Sequence, residues 1–110
     1  MQKSVYSDAV RISQITGRSM AECEELAQQI AECVREMCDR VVEFYYLKKD
    51  GTTRQAFGTL QHEVIIAHVK SDSMREPNPD LVTYFDTEAQ AFRSFKKVNF
   101  KNYVKQEQQA

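Results

Sequence analysis

Arg93, Lys96, Lys97, Lys101 and Lys105 crowd into one stretch together with aromatic residues, and they are the side chains whose chemistry is easiest to name. Lysine and arginine neutralise phosphates, and an exposed tyrosine or phenylalanine beside them can stack on a base, worth about 1–3 kcal/mol per base. Arg93, Lys96, Lys97 and Lys101 with their aromatic neighbours are therefore candidates for a single-stranded nucleic-acid surface, with a merely solvated basic end as the alternative. The charge is local. Residues 1–40 hold five Lys/Arg against seven Asp/Glu, residues 89–110 hold five against one, and the whole chain is at −1. An anionic partner would meet the C-terminal end.

Other reactive residues form no constellation. Cys23, Cys33 and Cys38 are odd in number, lack Cys-x-x-Cys spacing and lie in one helical stretch, so they are expected to be reduced and buried. Pairing Cys33 or Cys38 with a distant histidine as a nucleophile is weaker than core packing. His62 and His68 add no paired ligand spacing, and a zinc site needs about four ligands, so no metal or cofactor is expected. No Ser/His/Asp order, phosphate-cradling glycine loop or carboxylate pair can be assembled, which points to a non-catalytic protein.

The elements that would position these residues can be read in order. Val5, Ala9, Ile12 and Ile15 recur at helical spacing over 4–15, and Gly17 supplies the left-handed residue that ends a helix. Ser19 and Glu22 have capping-box spacing at the start of a second helix reaching about Asp39, with an apolar stripe of Cys23, Leu26, Ile30, Cys33, Val34 and Met37. That stripe packs on the first helix or on the rest of the domain; a self-associating seam giving a homodimer is the alternative. From Val41 to Leu47 the chain is rich in β-branched and aromatic residues, Asp50-Gly51 supplies a turn, and Thr52–Leu60 returns as the second strand of a hairpin. Gly58 in that strand suggests a bulge or bend.

Val64–Val69 could be a strand, and 71–80, with Pro77 and Pro79, reads as a loop. Leu81–Asp86 and Ala91–Phe95 form a strand pair, 98–104 a turn of helix or a closing strand, and the Gln-rich tail frays. The expectation is one α+β domain over 1–110. A helical pair over 1–40 precedes a small antiparallel β-barrel of about five strands over 41–104, and 105–110 is a loose tail. No run approaches the roughly 18 apolar residues of a membrane span, and no signal-peptide pattern opens the chain, so a cytoplasmic location and no membrane partner are expected.

Val42-Glu43-Phe44-Tyr45-Tyr46, Lys49-Asp50-Gly51-Thr52-Thr53-Arg54, Thr83-Tyr84-Phe85-Asp86 and Arg93-Ser94-Phe95 follow one another in the order of WYL-type domains, which are Sm-like SH3 β-barrels. The chain resembles most a compact WYL-like family of unknown function found in Bacteroidales-type bacteria, their phages and mobile elements. Gly58-Thr59-Leu60 and the segment Thr16–Glu22 are also similar to that family. The resemblance implies an SH3-like (Sm-like) barrel and a regulatory module that senses a ligand or a nucleic acid. It implies a ligand site at Tyr84, Arg93 and Phe95, with Tyr84 matching the signature tyrosine and Arg93 the first arginine of the later motif. Thr83, Phe85 and Lys96 stand where the signature has tryptophan, leucine and a second arginine.

Three functions remain open. The first is a non-catalytic regulatory or accessory module that senses a small anionic ligand or nucleotide in a phage or mobile element. The second is a single-stranded nucleic-acid binder using Arg93, Lys96, Lys97 and Lys101. The third is a module that dimerises or docks on a host factor through the second helix or a strand edge. A DNA-reading helix-turn-helix is not expected, because Arg11, Arg18, Arg35 and Arg40 are scattered among acids.

Overall fold

Gly17 and Ser19 divide the N-terminal third into two helices. In the computed structural model, which describes residues 3–69 and 78–106, α1 spans Lys3–Thr16 and α2 spans Met20–Met37. Gly17 adopts φ +74°, and its amide closes on the Ser13 carbonyl at 2.8 Å. The Ser19 hydroxyl accepts from the Glu22 amide at 3.3 Å, so the serine half of the capping box forms.

The apolar stripe of α2 serves two cores. Cys23 and Ala27 bury against Val5, Ala9 and Ile12 of α1, whereas Ile30, Cys33 and Met37 pack on the sheet. Leu26 and Val34, expected in the stripe, are only partly buried at its margin. Of the four apolar residues at helical spacing in α1, Val5, Ala9 and Ile12 are buried and Ile15 is 49% exposed. The stripe proposed as a dimer seam is thus occupied within the chain.

Burial pushes the Cys33 thiol up to about 12, with Glu36 adding to the effect. Cys38 corrects the expectation of three buried thiols: it caps α2 and is exposed, because the helical stripe ends one residue earlier at Met37. A thiol reagent at neutral pH should therefore label Cys38 rapidly in the folded protein and all three cysteines only in denaturant. Equal labelling rates, resolved by peptide mass, would contradict this packing.

The sheet is built from β1 (Val42–Leu47), β2 (Thr53–Thr59), β3 (Leu81–Asp86), β4 (Ala91–Lys96) and β5 (Phe100–Tyr103), all antiparallel in the order β4-β3-β2-β1-β5. The β1–β2 turn is set by Asp50, whose Oδ1 accepts from the Thr52 amide at 3.0 Å, and by Gly51 at φ +86°. Both readings of 98–104 are partly realised, since Lys97–Asn99 form a 3₁₀ turn and β5 follows directly. Among the described residues β4 and β5 share no ladder; the stacked Phe95 and Phe100 rings, 5.5 Å apart, span the interval between them.

Alternation assigns each face. Val42, Phe44, Tyr46, Ala56, Val82, Tyr84 and Phe95 point inward beneath α2. Gly58 is not a bulge, for it pairs regularly with Val42. It is glycine because the rings of Tyr84 and Phe44 lie on its Cα: a Cβ there would sit 2.5 Å from Tyr84 Cδ2 and 2.9 Å from Phe44 Cε1. The register irregularity falls instead between Tyr45 and Tyr46, opposite β5.

The reading of 64–69 as a strand is corrected: His62–His68 form a helix, α3. The run satisfies its amides locally, with Val64 and Ile65 donating to the Gln61 carbonyl and Val69 to that of Ile65. Thr59 steers the exit by accepting from the Gln61 amide at 3.1 Å and donating to the Met37 carbonyl at 3.0 Å. Of the expected 71–80 loop, 71–77 lie outside the described residues; Asn78 to Asp80 form a turn in which Asn78 Oδ1 accepts from the Asp80 amide at 2.9 Å. The end of the Gln-rich tail, 107–110, also lies outside them.

Candidate ligand-binding hollow

Strand register brings arginines to the inner face. Arg54 is the direct partner of Tyr46 on β1, and Arg93 that of Tyr84 on β3, so each points to the same side as a core tyrosine. Near the β1–β2 turn these residues surround a hollow of about 640 Å³. Its cations are Lys48, Lys49, Arg54, Arg93 and Lys96, its aromatic floor is Tyr46 and Phe95, and no carboxylate lines it among the described residues. Like charges around a low-dielectric concavity add their fields and concentrate anions.

Of the three residues that the resemblance assigned to a ligand site, Arg93 and Phe95 line this hollow. Tyr84 points the same way but lies beneath it, fully buried, with its hydroxyl 2.8 Å from that of Tyr46. Burial and then this hydrogen bond drive the Tyr84 phenol well above the usual tyrosine range, while nearby Arg54 pulls the other way. Tyr84 therefore supports Tyr46, which is the phenol at the floor. The Tyr46 and Phe95 rings stack 5.0 Å apart and are almost wholly buried, so they form the apolar floor of the hollow.

The four candidate nucleic-acid residues do not form one surface. Arg93 and Lys96 belong to the hollow. Lys97 is turned toward α1, where its Nζ lies 3.0 Å from both Asp8 oxygens and its side chain is 16% exposed. Lys101, next to the inward Phe100, points to the outer face and donates to the Thr53 hydroxyl at 3.0 Å. A second, smaller cavity of about 240 Å³ lies between α1 and the start of β3. Arg11 there is paired with Asp80, holding its carboxyl below the usual aspartate range, and Lys97 is neutralised by Asp8. In the larger hollow Arg93 is likewise paired, with Asp86, whereas Lys48, Lys49, Arg54 and Lys96 make no ion pair among the described residues.

Residues 30–101 of 110 match WYL_2, described as an Sm-like SH3 β-barrel fold. The chain belongs to the WYL_2 family. Neither a curated relative nor a solved structure matches it. The WYL_2 match begins within α2 and takes in the entire hollow, while α1 and the Thr16–Glu22 segment precede it. WYL_2 membership supports a module that binds a ligand or a nucleic acid and specifies no particular one.

Lys48, Lys49, Arg54, Tyr46 and Asp86 were not singled out from the sequence. Arg54 carried a usable signal: a hairpin centred on Asp50-Gly51 pairs residue 46 with 54 and so sends both side chains to one face. Among the described residues, no three His, Cys, Asp or Glu side chains gather at a distance suited to one metal ion. No helix among them is long and apolar enough to cross a membrane.

Proposed function

We propose that the chain is a non-catalytic regulatory or accessory module that senses a small anionic ligand, with a nucleotide as the best-fitting class. One observation carries the reading: five cations and no carboxylate among the described residues line a hollow that also has an aromatic floor. The cations suit phosphoryl oxygens. A setting in a phage or mobile element rests on the family resemblance alone.

Calorimetric titration with ATP, AMP, adenosine and an oligo-dT at about 50 and 200 mM salt tests it. ATP is expected to bind more tightly than AMP, and adenosine to bind hardly at all. Adenosine binding as well as ATP, or no binding of any anion, would overturn the reading. Tight oligo-dT binding that collapses with salt, beside weak ATP binding, would replace it with the single-stranded nucleic-acid reading.

A further inference from the structure

Asp86 closes β3 with a side chain only 6% exposed, and its two oxygens are committed to different partners. Oδ1 accepts from the amides of Glu88 and Ala89, each at 2.9 Å, which shapes the turn into β4. Oδ2 lies 3.2 Å from Nε of Arg93. Asp86 pairs with Ala91 in the ladder, so Arg93 is its diagonal neighbour on the same face, within reach of a long side chain. The ion pair engages the inner edge of the guanidinium. None of its nitrogens makes a hydrogen bond among the described residues, and Arg93 lines the hollow.

Building on the anion-binding reading above, we propose that Asp86 is a positioning residue: its carboxylate, 3.2 Å from Nε, holds the Arg93 guanidinium by charge at the hollow so that the Nη pair meets a two-oxygen edge of the ligand, phosphoryl or carboxylate. A guanidinium is a planar fork that binds such an edge bidentately only when its orientation is held, and ordering it in advance removes a cost of binding. Asp86 itself stays out of contact with the ligand.

The sign of one substitution separates positioning from simple charge balance. Asp86→Asn removes a negative charge beside a cationic hollow, so Coulomb attraction alone would tighten anion binding. Its amide oxygen can still accept from Glu88 and Ala89, while its nitrogen meets Nε donor to donor. ATP titrations of the wild type, D86N and R93K at one salt concentration, with thermal unfolding curves, read the outcome. We expect D86N to keep its unfolding midpoint yet bind ATP about tenfold more weakly, and R93K to lose a similar factor. Equal or tighter binding by D86N overturns the positioning role and leaves the hollow as the anion site. A wild-type protein that does not bind ATP overturns the anion-binding reading and this role with it. Should D86N fail to fold, the arginine side-chain NMR signals of the wild type decide. The Arg93 side chain must be ordered before ATP is added, with ATP shifting the Nη signals; a freely rotating guanidinium in the unliganded protein rejects the proposal.

Discussion

Phe44→Ala should lower the unfolding free energy by about 3–5 kcal/mol, a large share of the roughly 5–15 kcal/mol that holds an ordinary domain together. Phe44 is fully buried at the centre of the inner face, edge-on to Tyr84 at 4.9 Å and within 5.5 Å of Phe95. Removing its ring deletes contacts on several sides at once, and neighbours held by the ladder cannot collapse into the space. Gly58 offers the opposite perturbation at the same spot. A methyl at Gly58 would gain about 0.4–1 kcal/mol by restricting the unfolded chain, but it presses into two fixed rings, and overpacking costs about 1–3 kcal/mol. The second effect wins, so Gly58→Ala should destabilise. Combining it with Phe44→Leu should cost less than the sum of the two single changes, because a smaller side chain at 44 relieves the clash. Denaturant midpoints measure all of these, and strict additivity would contradict the close approach.

Reversing one charge in the hollow, Arg54→Glu, should weaken ATP binding by about 10- to 100-fold, or about 1.4–2.7 kcal/mol, with little change in stability. Arg54 lies on the inner face opposite Tyr46 at the hollow and makes no ion pair among the described residues, so its loss removes no native contact of that kind. The substitution both deletes an attraction and places a carboxylate where the lining has none. Lys101→Glu is the matched control, since Lys101 points to the outer face and reaches Thr53. It changes net charge by the same amount from the opposite face of the sheet and should cost ATP affinity much less than Arg54→Glu. Equal losses from the two variants, measured by calorimetry, would mean that anions respond to overall charge rather than to this hollow.

Local patterns located most of the elements. The 3.6-residue spacing with Gly17 and Ser19 marked the helices, and the Asp50-Gly51 turn marked the first hairpin. The strand pair around Thr87–Gln90 was equally readable. These features are legible because each depends on neighbours a few residues away. Val64–Val69 misled for the same reason: its β-branched composition prefers a strand, but whether such a run finds a ladder partner is decided by tertiary contacts rather than by its composition. Cys38 and Ile15 likewise looked apolar in pattern and became exposed where a packed face ran out.

By itself the amino-acid order determined which segments are helical or extended except around 64–69, that positive charge gathers toward the C-terminal end, and that an arginine and a tyrosine stand on paired strands. Tertiary structure alone decided which cations face a common space. Lys97 and Lys101 are one and five residues from Lys96, yet one is neutralised by α1 and the other turns to the outer face. Lys48, Lys49 and Arg54, about forty residues away, complete the hollow instead. The physical reason is that alternation along a strand sets direction within two residues, whereas the curl of the sheet sets which distant strand ends converge.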